Sequence, residues 1–304
     1  MGEAMCSTVR RISVLLGLFL GSLVWLWAGV GRGEGPLPVC VSILPQKYFV
    51  EKVGGSLVHV SVMVPPGANP HLYEPKPGQM AALAKVKIYF AVGVTFEDAW
   101  LPRLAAINPE MKIVHTEEGI QKIAMETHHP GEEGGAEPPD HQGIKDPHIW
   151  LSPPEVKIQA RNILRALQEV DPAHKAVYER NFEAFEKEIE ALDQELRKIF
   201  AGKRGMKFMV FHPSWGYFAR AYGLTQVPVE LEGKEPKPGQ LKALIELARS
   251  EGIKVIFVQP QFSTRSAEII AKAIGGQVVF ADPLSPDWSN NLRDQAEKFK
   301  AALR

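Results

Sequence analysis

Four residues with potential metal-binding side chains stand where a parallel α/β sheet would collect them. His71 follows one strand-like apolar run through a Pro/Gly turn, while His212 and Asp282 directly follow two others. His148 stands just before the apolar triplet Ile-Trp-Leu. In open α/β sheets, ligands bind at the carboxyl ends of the strands. We therefore expect that two residues from each half of the chain can meet in a cleft between the halves.

Three imidazoles and one carboxylate form a four-donor set that suits Zn²⁺ in tetrahedral geometry. A zinc enzyme typically uses three protein ligands and leaves the fourth position to water or substrate. Four protein ligands would fill the coordination shell, so this set favours holding a metal over using it in catalysis. The sequence contains neither a His-Glu-x-x-His motif nor a Cys-x-x-Cys pair.

Each of these residues also has a simpler interpretation. A histidine in a Pro/Gly loop is commonly a solvated surface group, and Asp282 before Pro283 can cap a turn. The four residues are far apart in sequence, so spacing alone does not establish that they form one cluster. His59, His115 and His174 occur in ordinary strand, loop and helix-start contexts, and we predict that they lie on the surface.

The elements that would position the four residues alternate along the chain. Short apolar runs are separated by longer segments with helical periodicity, a pattern typical of parallel sheets covered by helices. The second half repeats the pattern of the first, so we predict an α/β fold of two Rossmann-like lobes with the metal site in the cleft between them. The predicted strands are 39–44, 59–64, 87–92, 207–211, 254–258 and 277–281.

A long helix is predicted between the two halves. Apolar residues recur there at alternating steps of four and three, which indicates an amphipathic helix of about 28 residues, or roughly 42 Å. A single long helix joining the lobes would make a rigid joint, and a helix packed wholly within one lobe is the alternative. The apolar residues are Tyr178, Phe182, Phe185, Ile189, Leu192, Leu196 and Ile199.

The N-terminal segment differs from the rest of the chain. Arg10 and Arg11 precede an apolar run at 12–30, and small residues follow, which is typical of a secretory signal. An uncleaved membrane anchor is the alternative, and either places the rest of the chain outside the cytoplasm, as in a periplasm. The predicted division is a signal peptide at 1–33, an N-terminal lobe at 34–170, a linking helix at 171–202 and a C-terminal lobe at 203–304.

The formal charges of the chain balance, with 35 Lys and Arg residues against 35 Asp and Glu residues. A neutral chain gives no electrostatic reason to expect a nucleic acid or an anionic membrane surface as partner. We expect a monomer that does not bind nucleic acid.

Four motifs, in order along the chain, resemble those of a known family. They are NPHLYEP, DPHIWLSP, FHPSWGYFARAYGL and ADPL. As an ordered set they resemble the zinc- and manganese-binding solute-binding proteins of bacterial ABC importers, and the similarity covers essentially all of the chain after the N-terminal segment. The resemblance implies two α/β lobes joined by one rigid helix, with the metal bound between the lobes.

The resemblance also implies a ligand set, namely His71, His148, His212 and Asp282. Manganese-selective relatives tend to carry a carboxylate where this chain has His212, so an imidazole there favours Zn²⁺ over Mn²⁺. Some zinc-binding members take a Glu directly before the first histidine as the fourth ligand. Pro70 occupies that position here, which favours Asp282 as the fourth ligand.

A segment at 126–146 lies before His148, where zinc-specific relatives often carry a loop rich in histidine and acidic residues. In this chain the loop contains His128, His129 and His141. We predict that these three form a weak auxiliary site that gathers Zn²⁺, whereas His148 belongs to the tight site. A variable insertion without a role in metal binding is the alternative.

These features predict capture of extracytoplasmic Zn²⁺ and its delivery to the membrane permease of an ABC importer, with Mn²⁺ as the alternative cargo. We expect no catalytic activity. A secreted metallohydrolase with Asp282 as base and a surface adhesin are the other functions left open. Because imidazoles must be neutral to bind a metal, the ordinary histidine pKa of about 6.5 predicts that metal is lost below a pH of about 6.

Overall fold

The computed structural model describes residues 35–125, 145–230 and 234–303. The predicted signal peptide at 1–33 and the loop histidines His128, His129 and His141 lie outside these residues. Within the described ranges, the strands form two four-stranded sheets in which all neighbours are parallel.

The first sheet has the strand order β2-β1-β3-β4, and helices connect its strands. Its central strands are almost wholly buried because helices cover both faces of a parallel sheet. The helix that ends this lobe begins after Ser152, with two prolines in its first turn, where a missing N–H costs nothing. The elements are β1 (Leu37–Val41), α1 (Leu44–Gly54), β2 (Val58–Val62), α2 (Pro77–Ala82), β3 (Ile88–Ala91), α3 (Thr95–Ile107), β4 (Lys112–His115) and α4 (Pro153–Val170).

The second sheet repeats this arrangement with the order β6-β5-β7-β8. A long helix, α5 (Lys175–Ile199), precedes it in the chain. The remaining elements are β5 (Lys207–Val210), α6 (Gly216–Tyr222), β6 (Thr225–Pro228), α7 (Pro238–Ser250), β7 (Val255–Val258), α8 (Arg265–Ile274), β8 (Gln277–Phe280) and α9 (Trp288–Ala302). The predicted α/β fold with two parallel sheets is therefore confirmed, and each of the six predicted strands overlaps an observed strand.

Helix α5 has 25 residues and follows a short 3₁₀ turn at Pro172–His174, so it is slightly shorter than predicted. Its apolar face is buried as the periodicity indicated, except that Ile199 is only partly covered. The helix packs against α1 and α4 of the first lobe and against the C-terminal helix α9. It therefore packs against elements from both halves of the chain.

Helix α9 also connects the lobes, which the sequence did not indicate. Phe299 contacts Phe208 and Phe257 of the second sheet. At the other end of the same helix, Trp288 packs edge-on against Phe49 of the first lobe, with ring centroids 5.2 Å apart. The C-terminal helix thus completes the cores of both lobes.

Two buried tryptophans hydrogen-bond across the lobes close to the candidate ligands. Trp150 Nε1 donates to the carbonyl oxygen of Pro283 at 2.7 Å, and Trp288 Nε1 donates to the carbonyl oxygen of Trp150 at 2.6 Å. Trp150 follows His148 by two residues, and Pro283 follows Asp282. The tryptophan pair therefore ties together the segments that carry these two residues.

In the part of the chain that the structure describes, no helix has both the length and the apolar character needed to span a bilayer.

Candidate metal centre

Three of the four predicted ligands come together in the cleft between the lobes. His71 lies on the loop between β2 and α2, His148 caps the short turn before α4, and His212 follows the C-terminal end of β5. Their ring nitrogens form a group of potential metal ligands within 4.8 Å of one another. By contrast, His59 and His115 are exposed, as predicted from their sequence contexts.

The three Nε2 atoms form a nearly equilateral triangle. The distances are 3.3 Å from His71 to His148, 3.1 Å from His71 to His212, and 3.2 Å from His148 to His212. Ligand nitrogens about 2.0–2.1 Å from a tetrahedral zinc ion lie about 3.3–3.4 Å apart, by simple trigonometry. The triangle therefore has nearly the size of one face of a zinc coordination tetrahedron.

The other ring nitrogen of each histidine has its own partner. His148 Nδ1 lies 2.7 Å from Asp146 Oδ1, and His212 Nδ1 lies 2.6 Å from Glu230 Oε1. A carboxylate accepts hydrogen bonds, so it fixes the proton on Nδ1 and leaves a lone pair on Nε2. The Nε2 atoms of His148 and His212 are thus both acceptors, and they lie at hydrogen-bond distance without a proton between them. A cation would stabilise this arrangement.

His71 has a weaker partner. Its Nδ1 lies 3.1 Å from the hydroxyl oxygen of Thr95, which can either donate or accept and carries no charge. Thr95 begins α3, and the turn before it is held by the buried carboxylate of Glu97. That carboxylate accepts hydrogen bonds from the backbone N–H groups of Val92 and Gly93 at 3.0 and 2.7 Å. Thr95 is thus exposed but stands on a fixed turn.

Burial favours the neutral imidazoles that metal binding requires. Desolvation, followed by repulsion from His148 and His212, lowers the pKa of His71 to about 2. Burial, with a smaller contribution from His212, lowers the pKa of His148 well below its ordinary value. His148 and His212 are only 2% and 6% exposed. At neutral pH, protons therefore do not compete for the Nε2 atoms of His71 and His148.

Asp146 shows how one carboxylate fixes His148 in place. Its Oδ1 accepts from both the backbone N–H of His148 at 2.9 Å and the ring Nδ1. Burial raises the pKa of Asp146 to about 7, although its hydrogen bond with the backbone of His148 and the charges of His212, Arg220 and Lys122 act in the opposite direction. Burial makes the ionised form of this carboxyl group unfavourable. A cation bound to the other nitrogen of the imidazole would stabilise that ionised form.

Asp282 is not among the residues whose potential ligand atoms form this cluster. Its Oδ1 accepts hydrogen bonds from the backbone N–H of Leu284 at 2.9 Å and from Gln261 Nε2 at 3.2 Å. The first of these is the turn-capping contact that the sequence left open as an alternative. Asp282 also lines a cavity of about 140 Å³ together with Val64 and Gly67, from the loop that leads to His71. It therefore lies in the cleft, with one oxygen committed to the turn.

The residues that orient the histidines were not predicted from the sequence. Asp146 had a local signal, because the spacing Asp-Pro-His places an acceptor two residues before the ligand. Glu230 follows β6 at a sheet edge and is 18 residues from His212 in sequence, so no local pattern relates the two. Thr95 begins a helix and meets His71 only through the tertiary fold.

A family model described as zinc-uptake complex component A, periplasmic, matches residues 39–302. The chain belongs to this family. ScbA of Streptococcus cristatus, a metal ABC transporter substrate-binding lipoprotein, is 30% identical over 237 residues, which is 74% of this chain and 72% of the relative. Other curated relatives are named for zinc and for manganese uptake.

Solved structures of ZnuA proteins share the fold. A crystal structure of ZnuA matches with a TM-score of 0.82 at 45% identity, covering 88% of this chain and 100% of the other. A ZnuA deletion mutant with zinc bound matches with a TM-score of 0.80 at 46% identity, covering 88% of this chain and 98% of the other. The two-lobed fold and the resemblance found in the motifs are thereby confirmed.

Proposed function

We propose that this chain captures Zn²⁺ outside the cytoplasm and delivers it to the membrane permease of an ABC importer. The observation that carries the proposal is the triangle of Nε2 atoms of His71, His148 and His212. Its edges match a zinc tetrahedron, and carboxylates on two of the three rings fix the protons away from the centre. Membership of a zinc-uptake family supports the same cargo.

The donor set favours Zn²⁺ over Mn²⁺. Imidazole nitrogens suit zinc, whereas manganese prefers carboxylate, carbonyl and water oxygens. We propose Asp282 as the fourth ligand, through the oxygen that accepts no hydrogen bond from the described residues. Three imidazoles and one carboxylate would then close the tetrahedron.

A closed site is suited to transport and unsuited to catalysis. Four protein ligands leave no position for a water nucleophile, so we infer that the chain is not an enzyme. A metallohydrolase would keep one exchangeable position on the metal. Turnover of an activated ester by the zinc-loaded protein, abolished by His148→Ala, would contradict this inference.

We also propose how the chain is organised. The segment at 1–33 directs export, and the lobes at 34–170 and 203–304 are joined by the segment at 171–202. Helix α5 and the tryptophan hydrogen bonds between the lobes support a rigid joint, with small tilts and loop movements on metal release. We expect the exported protein to be a monomer, and size-exclusion chromatography with light scattering measures this.

A competition titration tests the proposed function. The exported chain, stripped of metal, is titrated with Zn²⁺ in the presence of a chelator of known affinity, and Mn²⁺ is then added as competitor. We expect one tight equivalent of Zn²⁺ that Mn²⁺ does not displace. Absence of tight Zn²⁺ binding, or ready displacement by Mn²⁺, would overturn the proposal.

The loop histidines remain a prediction. Deleting residues 127–143 is expected to remove a weaker second step from the titration and to leave the tight step unchanged, because His71, His148 and His212 are held by other elements. Loss of the tight step on deletion would mean that His128, His129 or His141 belongs to the main site.

A further inference from the structure

The loop after β7 contacts both candidate ligands of the second lobe. We call residues Gln259 to Phe262 the QPQF segment. Gln259 pairs with the backbone of His212, accepting from its N–H at 3.1 Å and donating to its carbonyl oxygen at 2.8 Å. The ring of Phe262 stacks on the imidazole of His212, with centroids 4.8 Å apart and planes inclined by 17°. This segment therefore restrains both the backbone and the ring of His212.

The same segment holds Asp282. Gln261 Nε2 donates to Asp282 Oδ1 at 3.2 Å, and the N–H of Leu284 donates to the same oxygen at 2.9 Å. Two donors on Oδ1 fix the carboxylate plane and leave Oδ2 as the oxygen available to a cation. Gln261 and Asp282 line one cavity with Val64, at the start of the loop that carries His71.

We propose that Gln261 is a positioning residue for Asp282, and that the QPQF segment presents His212 and Asp282 to the metal as one unit. This inference rests on the proposed function, because it assumes that the cleft binds Zn²⁺. Mutation of a residue that hydrogen-bonds to a metal ligand and orients it commonly weakens metal affinity about 10–100-fold. Gln261 would act on affinity only through the carboxylate that it holds.

The Gln261 amide is poorly suited to a purely structural role. Its Oε1 atom is buried and has no hydrogen-bond partner among the described residues. A buried acceptor without a partner destabilises a fold. The contact with Asp282 also fixes the orientation of the amide, because the flipped amide would place two oxygens against each other. Among the described residues, the one hydrogen bond that the Gln261 side chain donates is thus its contact with the candidate ligand.

Gln261→Met tests the proposal, because methionine keeps the length of the side chain and removes both polar amide atoms. We expect the dissociation constant for Zn²⁺, measured by chelator competition, to rise about 10–100-fold. The thermal unfolding midpoint of the metal-free protein should stay constant or rise, because the unpaired acceptor is lost. Gln277→Met is the matched control, since Gln277 is exposed on β8, and both quantities should match the wild type.

A double-mutant cycle separates positioning from a general effect on the cleft. In an Asp282→Ala background, Gln261→Met should cause no further loss of Zn²⁺ affinity, because the group through which it acts is gone. Wild-type affinity in Gln261→Met, or an equal loss in both backgrounds, would overturn the inference while the proposed function stands. If the wild-type protein itself binds no Zn²⁺ tightly, the proposed function fails and this inference fails with it.

Discussion

His148 and His212 are backed by buried carboxylates, whereas His71 rests on an exposed threonine hydroxyl. The first two are almost completely buried, while Leu72, next to His71, is 81% exposed. His71 also lies on a loop with four prolines between β2 and α2. The difference indicates that His148 and His212 are the fixed members of the cluster and that His71 joins it from the more accessible side. Four measurements test whether the histidines differ in this way.

Removal of a histidine should have the largest effect. His148→Ala and His71→Ala are each expected to weaken Zn²⁺ binding by more than the 10–100-fold typical of an outer-shell residue. The two variants should differ in the free energy of unfolding of the metal-free protein. His148→Ala deprives buried Asp146 of its ring partner, which costs about 1–3 kcal/mol of unfolding free energy. His71→Ala leaves only an exposed hydroxyl, so its chemical denaturation curve should match the wild type. Equal destabilisation by both would remove the proposed distinction.

The supporting carboxylates come next. Asp146→Asn and Glu230→Gln should each weaken Zn²⁺ binding about 10–100-fold, because a neutral amide no longer fixes the ring proton or balances charge on the metal. Glu117→Gln is a matched control, since Glu117 holds His115 in the same way at 3.0 Å but outside the cluster. Calorimetric titration of the three variants measures the contrast. A loss in the Glu117 variant as large as in the other two would contradict it.

The pH dependence of binding should be shallower than three ordinary histidines would give. Because the pKa values of His71 and His148 are lowered, these rings stay neutral as the pH falls through 6.5, and protons do not displace the metal there. Asp146, with a pKa raised to about 7, takes up a proton below that pH and weakens binding moderately.

We therefore expect Zn²⁺ affinity to fall by about tenfold or less per pH unit between pH 7 and 5, against about a thousandfold for three unperturbed imidazoles. Because the pKa values of His71 and His148 are lowered, we expect loss of the metal at a lower pH than the value of about 6 that ordinary histidines predict. A plot of log Kd against pH with a slope near minus three would show that the metal-free cluster is open to water.

The smallest effect is expected at Thr95. Thr95→Val keeps the shape of the side chain and removes one neutral hydrogen bond to His71, worth about 1 kcal/mol or roughly a fivefold change in Kd. Thr95→Ser keeps the hydroxyl group, so its Kd should match that of the wild type. A loss as large as that of Glu230→Gln would mean that His71 is as firmly held as the other two histidines.

The sequence predicted the central strands better than the edge strands. The strands at β1, β3, β5 and β7 read as continuous apolar runs because helices cover both faces of a parallel sheet. The two missed strands, β4 and β6, are four residues long and lie at the edges of their sheets. An edge strand pairs on one side only, so its sequence, such as Thr-Gln-Val-Pro in β6, need not be strongly apolar.

The candidate site was also predicted only in part. The three histidines were predictable because His148 and His212 adjoin elements that sequence patterns reveal, and His71 lies in a motif, NPHLYEP, that resembles the family. Their partners were not, since Glu230 and Thr95 reach the rings only after separate strands and helices have packed. The role of Asp282 as the fourth ligand stays a proposal, because its carboxylate also caps a turn.

The place of Trp288 has a consequence for biosynthesis. This residue follows all four strands of the second sheet in the chain, yet its side chain packs in the aromatic core of the first lobe beside Phe49 and Phe185. Domains commonly fold in order as the chain emerges, but here the first lobe cannot complete its core until Trp288, which follows the last strand of the second sheet, is available. A chain still being synthesised therefore keeps its first lobe incompletely packed. The lobe that is synthesised first therefore reaches its final packing only after the second sheet has been synthesised.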